Sequence, residues 1–166
     1  LGIVEEVGKD VRTINKGDYV VRTVRRPCNE CDPCKHGISD MCFSGKYIET
    51  GIKELHGDLA EYYVESPKYL VEVPQSIKDI GVLLEPLSFV EKAFRRTLET
   101  QNNVDYWNPK KALVLGAGTI GILETLLLRN YGIDEVYVAA KSEKGNLKSR
   151  IIEEIGASYI STPDSS

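Results

Sequence analysis

The pattern of apolar and polar positions changes period part-way along the chain. Residues 1–24 carry short β-rich runs, with Val4 and Val7 in the first and Tyr19-Val20-Val21 in the second, on either side of the turn signal Lys16-Gly17-Asp18. Residues 59–73 return to strand character, and Pro74 ends it. Short strands without helical periodicity predict a small barrel or sandwich. Helical spacing follows: Val90, Phe94 and Leu98 share one face of a helix predicted over roughly 87–98, with Pro86 suited to its first turn. A polar connection over 99–109 leads to Ala112–Leu115, a wholly apolar run of the kind expected of a strand buried on both faces. An apolar helix over 120–130, a left-handed cap at Gly132, and a second apolar strand over 135–140 come next. A further helix over about 148–155, a Gly156 cap and a short run over 157–160 close the pattern. The fold class predicted is α/β plus β.

Between the two apolar strands stand Gly116, Gly118 and Gly121, at G-x-G-x-x-G spacing. Strand, glycine turn, helix and strand together form the context of a dinucleotide-binding fingerprint. Gly116 allows the tight turn, Gly118 lets the backbone approach a pyrophosphate, and Gly121 lets the helix pack closely on the strand. The helix start at Thr119 and Ile120 offers unpaired N–H groups and the positive end of the helix dipole to the phosphates. The plainer reading is that the glycines serve only a tight turn; the two flanking strands favour the cofactor.

An acidic ribose ligand is expected about twenty residues further on, at the end of the second strand. That strand ends Ala139-Ala140-Lys141-Ser142, without Asp or Glu at 139 or 140. A neutral residue followed by a cation suits a 2′-phosphate, so Ala140, Lys141 and Ser142 point to NADP; Glu143, one residue on, leaves NAD open.

The chain has 166 residues, length for one ordinary domain or pieces of two. Its formal net charge of −4 implies no general attraction to nucleic acid. No apolar run approaches transmembrane length and no signal peptide is visible, so a cytoplasmic location is expected. The first residue is Leu, and a doubly wound sheet needs more strands than this half supplies, so a fragment with sequence missing on both sides is expected.

Cys28, Cys31, Cys34 and Cys42 are all the cysteines in the chain, spaced Cys-x2-Cys-x2-Cys-x7-Cys among Pro27, Pro33 and Gly37. Turns at x2 spacing aim successive thiolates at one point, and four thiolates make a closed tetrahedral zinc site. Disulfides suit secreted proteins, and an iron–sulfur run has x3 before its last cysteine. Structural zinc is therefore the expectation. With four protein ligands, such an ion stiffens the loop and does no chemistry.

Three other residues are candidates. Glu49 and His56 lie in a predicted loop over 43–57, where functional residues concentrate, although a solvated carboxylate and a surface histidine are the commoner finding. Glu85 is a lone carboxylate in the apolar run 81–87. It is either held by a partner or metal, or is a helix-start residue facing water and stabilised by the dipole.

A four-cysteine loop upstream of a nucleotide-binding unit resembles the zinc-containing medium-chain dehydrogenase/reductase superfamily. Finer features resemble its archaeal-type glucose 1-dehydrogenases: Val24-Arg25-Arg26-Pro27-Cys28, Glu49 with Gly51-Ile52, Leu55-His56-Gly57, Lys68-Tyr69-Leu70-Val71, and Leu84-Glu85-Pro86-Leu87 with Glu91-Lys92-Ala93. The resemblance implies a partial GroES-like catalytic domain over 1–100, with its zinc loop over 28–42 and a linking helix, then the first part of a Rossmann doubly wound parallel sheet over 101–166. It implies a catalytic zinc whose late ligand matches Glu85 and whose other ligands lie upstream of Leu1. It places the sugar-hydroxyl contact at Glu49, with apolar Val24 and Phe89 where some relatives carry polar sugar contacts. The implied chemistry is zinc-assisted oxidation of an aldose at C1 to a lactone, with hydride transfer to NADP or NAD. A homodimer or homotetramer is implied for the full-length protein. An alcohol or polyol dehydrogenase of the same superfamily, or a non-catalytic cofactor-binding relative, stays open as an alternative.

Overall fold

The computed structural model describes residues 1–104 and 108–162. It divides into two compact units, Leu1–Val82 and Leu83–Ser166. Along the first run β1 (Gly2–Ile3), β2 (Tyr19–Arg22), β3 (Arg25–Arg26), the single-turn helix α1 (Asp32–Lys35), β4 (Ile48–Thr50), β5 (Glu54–Leu55) and β6 (Leu70–Val73). One sheet has the order β1-β2-β6, antiparallel throughout, and Val20 and Val73 are its buried residues. The second has the order β3-β4-β5, with β3 antiparallel and β5 parallel to β4.

The strand expectations for this unit hold at Gly2–Ile3, at 19–21 and at Leu70–Val73, and need correcting elsewhere. Of the run 59–73, only Leu70–Val73 is a strand. Leu59, Tyr62 and Val64 are exposed, and their segment pairs with no strand among the described residues, so alternation alone has no ladder to hold it. Val4 and Val7 lie in irregular chain between β1 and β2. Conversely, β4 and β5 form inside the stretch read as a loop, because Glu49 and Lys53 exchange backbone hydrogen bonds across a tight turn.

The second unit runs α2 (Leu84–Gln101), β7 (Lys111–Leu115), α3 (Thr119–Asn130), β8 (Glu135–Ala140), α4 (Leu147–Glu154) and β9 (Ser158–Ser161). Its strands form one parallel sheet in the order β7-β8-β9. The helix expected over 87–98 extends at both ends, and Pro86 sits in its first turn, where its missing N–H has no intrahelical partner to lose. The compact break falls after Val82, ahead of the division drawn after residue 100, because α2 packs in the second unit. There the Phe94 ring lies 4.7 Å from that of Tyr131, just past the end of α3. Residues 105–107 of the polar connection and the last residues of the chain, 163–166, lie outside the described residues.

The parallel sheet departs from the expectation of strands buried on both faces. Val114, Val138 and Tyr159 are in register and are all buried, with Val136, Leu128, Ile152 and Ala157 in the same core. The next row, Leu115, Ala139 and Ile160, points the other way; Leu115 is 80% exposed and Ile160 42%. Two successive right-handed crossovers in one direction set α3 and α4 on the same face, and a doubly wound sheet covers its second face only where the strand order reverses. Among the described residues, no helix is long and apolar enough to cross a membrane.

Candidate functional site

The glycine turn between β7 and α3 separates what the fold needs from what a ligand needs. Gly116 has φ +106, a backbone region that disfavours side chains. A Cβ on Gly121 would stand 2.0 Å from the Gly116 carbonyl oxygen, so only glycine lets α3 start there. Gly118 is different: its backbone is extended (φ −81, ψ −178) and a Cβ would meet nothing within 4 Å. The fold tolerates any residue at 118, and what a side chain there would occupy is the open space in front of the helix. In the dinucleotide-binding motif that room is the space reserved for a pyrophosphate.

The helix start agrees. Gly118 caps α3 without any side-chain hydrogen bond, so the amides of the first turn, from Thr119 and Ile120 onward, face outward unclaimed by a side chain. At α4, by contrast, the Asn146 side chain accepts from the Lys148 and Ser149 amides at 2.8 and 3.2 Å. The residues present therefore fit a dinucleotide at α3. At the end of β8, Ala140 is half-buried and its carbonyl accepts from the Thr162 amide at 2.8 Å, while the Ser142 carbonyl accepts from the Tyr159 hydroxyl at 2.7 Å. A shallow depression follows, lined by Ser142, Glu143, Lys144, Asn146, Leu147 and Lys148. Lys144 and Lys148 add cations that the reading of Ala140, Lys141 and Ser142 did not include. Their signal is weak in sequence, since exposed lysines are common.

The cysteine loop is built from a sequence of sharp turns. Asn29 takes a left-handed backbone (φ 60), which Asn tolerates, and the turn aims the Glu30 and Cys31 amides at the Cys28 sulfur at 3.4 and 3.5 Å. Pro33 opens α1, which presents the buried Cys34, and a 3₁₀ turn at Ser39–Met41 delivers Cys42. All four Sγ atoms lie within 4.8 Å of one another, with Cys28–Cys31 at 3.5 Å and Cys31–Cys42 at 3.8 Å. A tetrahedron of sulfurs at a zinc–sulfur distance of about 2.3 Å has edges of about 3.8 Å. The pairs are far outside disulfide length and fit one ion. Hydrogen bonding to Ser44 and to the Cys31 and Glu30 amides pulls the Cys28 thiol down to about 5, whereas burial pushes Cys34 up to about 12. Four sulfurs gathered this closely suit a cation at their centre, whose binding would hold them as thiolates.

Glu49 and Glu85 have opposite surroundings. Glu49 lies in β4, opposite Arg25 of β3, and its side chain is only 15% exposed. The Arg25 Nε and Nη2 both donate to its Oε1, at 2.9 and 2.7 Å. Glu85 is exposed in the first turn of α2, where the dipole favours an acid; its carbonyl accepts from the Ser88 hydroxyl. Among the described residues the cysteines are the single cluster of three or more potential metal donors, so Glu85 joins no such set here. His56 is exposed, and its carbonyl accepts from Arg22 at 2.8 Å.

Sequence reasoning missed the arginines. Arg22 and Arg26 are buried side chains meeting at Glu65: Arg26 at 2.6 Å, Arg22 at 3.7 Å, with Asp58 also on Arg22 at 2.8 Å. Tyr63 and Tyr69 lie against them, with guanidinium-to-ring distances of 4.6 and 4.0 Å. The partners are dozens of residues apart, so no local spacing announces them.

Residues 78–166 match the family described as glucose dehydrogenase C-terminus, and residues 1–75 match the alcohol dehydrogenase GroES-like domain. The chain belongs to the glucose dehydrogenase family, with a GroES-like unit leading into the start of a Rossmann sheet. It is 49% identical to a glucose 1-dehydrogenase of Methanocella arvoryzae over 99% of this chain and 45% of that protein. It is 43% identical to glucose 1-dehydrogenase 1 of Caldivirga maquilingensis over 100% of this chain and 46% of that one. The crystal structure of Haloferax mediterranei glucose dehydrogenase in complex with NADP, zinc and gluconolactone superposes with a TM-score of 0.82 at 33% identity, covering 96% of this chain and 45% of that chain. The chain thus spans about half the length of the relatives it matches.

Proposed function

We propose that the full-length protein is a zinc-containing aldose 1-dehydrogenase that oxidises the C1 hydroxyl of glucose to a lactone with NADP, accepting NAD more weakly. The observation that carries the reading is the glycine turn, where Gly118 keeps open a space the fold does not need and α3 presents uncapped amides to it. Gly116, Gly118, Thr119, Ile120 and Gly121 cradle the pyrophosphate. Ala140, Lys141 and Ser142 receive the 2′-phosphate, with the cations of Lys144 and Lys148 near by. The four cysteines hold a structural zinc that fixes their loop. Glu49 accepts hydrogen bonds from sugar hydroxyls, a role supported by its fixed and largely buried carboxylate. Glu85 is the late ligand of the catalytic zinc, supported by the match at Leu84-Glu85-Pro86-Leu87. Zinc and NADP supply, when bound, a Lewis acid for the C1 hydroxyl and a hydride acceptor. The functional division in the same reading is GroES-like over 1–100 and Rossmann over 101–166, with α2 counted as the linking helix although it packs in the second compact unit. Thiols gathered for a metal suit a reducing compartment, and we place the enzyme in the cytoplasm as a homodimer or homotetramer.

A steady-state panel of glucose, galactose, xylose, a polyol and ethanol with both cofactors tests the reading. Glu49→Ala should lose on the order of ten- to a hundredfold in kcat/KM for glucose and far less for ethanol, since a hydrogen bond to a charged group is worth roughly 1.5–3 kcal/mol. Glu85→Ala should lower turnover with every substrate. Ala140→Asp should shift preference toward NAD by repelling the 2′-phosphate. If ethanol or the polyol outperforms every aldose, the alcohol or polyol dehydrogenase reading takes over.

A further inference from the structure

The surroundings of Glu49 contain a device that neither its sequence nor the family match assigns. Cross-strand register places Arg25 directly opposite Glu49, on the same face of the small sheet. Two guanidinium nitrogens, Nε and Nη2, converge on one carboxylate oxygen, Oε1, so Oε2 takes no part in the clamp. The third nitrogen, Nη1, turns the other way. It donates to the Ser39 carbonyl at 3.2 Å and lies 4.0 Å from Asp40 Oδ1. Ser39 and Asp40 belong to the 3₁₀ turn that delivers Cys42. The guanidinium also lies against the Tyr47 ring, 3.9 Å from Cζ to centroid. Burial works against its charge, but the Glu49 hydrogen bond and the charges of Glu49, Tyr47 and Asp40 outweigh this and raise its pKa.

A glutamate side chain left to itself samples many rotamers, and each must be frozen out when a ligand binds. Here one oxygen is already fixed by a planar donor fork, and the arginine is in turn held by an aromatic ring and by the turn between Cys34 and Cys42. We propose that Arg25 is a positioning residue for substrate: it orients Glu49 so that Oε2 is presented to sugar hydroxyls, and it takes its own position from the cysteine loop. The proposal rests on the reading of Glu49 as the sugar contact. Lysine cannot substitute, because an ammonium is a point donor without the fork.

The test uses the full-length enzyme with glucose and NADP, comparing Glu49→Ala, Arg25→Met, Arg25→Lys and the double variant Arg25→Met/Glu49→Ala. Arg25→Met should raise the KM for glucose on the order of ten- to a hundredfold, the scale of a misplaced substrate-orienting group, with the KM for NADP unchanged. Arg25→Lys should recover only a small part. In the Glu49→Ala background, Arg25→Met should add little further loss, as expected of residues acting through one another. Zinc content should stay at the wild-type value throughout. Two results separate the ways of failing. If Glu49→Ala leaves the glucose KM unchanged, the sugar contact itself is wrong and the proposal falls with it. If Glu49→Ala is impaired but Arg25→Met is not, or their losses add in full, or Arg25→Met sheds zinc or weakens both substrates alike, Glu49 stands and Arg25 is only a brace of the loop.

Discussion

In the cysteine loop the donors face one another, whereas in the glycine turn they face open space. Four sulfurs within 4.8 Å of one another point inward and leave no position for a fifth group. At the turn, no side chain caps the amides that open α3, and a Cβ on Gly118 would meet nothing within 4 Å. Both motifs are spaced repeats of one residue type in a tight loop. The first has enough donors to fill a zinc ion's coordination by itself; the second leaves its first-turn amides without a side-chain cap. Whether donors are satisfied inside the chain therefore separates a structural site from a binding site more sharply than the motif does.

The largest effect should come from opening the closed site. Cys42→Ser should lower bound zinc by about one ion per chain and destabilise the first unit by several kcal/mol, because metal binding is folding free energy. Metal analysis together with urea unfolding checks both; iron with sulfide, or a folded metal-free protein, would rule out structural zinc. Next comes Gly121→Ala, which drives a Cβ into the Gly116 carbonyl at 2.0 Å. It should destabilise the second unit by about 3 kcal/mol, the upper range for overpacking, read as a shift in the unfolding midpoint.

A smaller effect separates the metal from the rest of the first unit. Burial raises the Glu65 pKa, but the Arg26 hydrogen bond, the Ser66 amide and the charges of Arg26 and Arg22 more than offset it, leaving the pKa below 4.5. A depressed carboxylate contributes stability that is present above its unfolded value and lost as pH falls through its folded one. Glu65→Gln should cost roughly 2 kcal/mol at neutral pH, and the gap from wild type should shrink as pH drops below 4.5. Unfolding curves of both proteins across pH measure the gap, in which any metal contribution cancels; a gap constant with pH would refute the assignment. Smallest in stability is Gly118→Ala, expected within about 0.5 kcal/mol of wild type because nothing surrounds its Cβ. Its effect should fall instead on NADP, with at least a tenfold rise in Kd expected by titration, about 1.4 kcal/mol. Unaltered NADP binding would mean that the space before α3 is not the pyrophosphate site.

Much of the second unit was legible because its signals are local. β8 at Glu135–Ala140 and the Gly132 cap follow from residues adjacent in sequence, and helix ends shifted by only a residue or so at α3 and α4. The convergence of the cysteines follows from x2 spacing, which leaves a turn few ways to go. The steric need for glycine at 116 and 121 was readable from the motif for the same reason.

What the sequence could not decide depends on partners distant along the chain. The strand pattern over 59–66 promised pairing that is not made among the described residues, and Leu113 and Leu115 promised burial on a face that α3 and α4 do not cover. The clamp on Glu49 needs Arg25 brought across from another strand, and the meeting of Arg22 and Arg26 at Glu65 needs a chain reversal over dozens of residues. Periodicity records which face of an element is apolar. Only the tertiary structure decides what lies against that face, because contact energy depends on neighbours that sequence order does not supply.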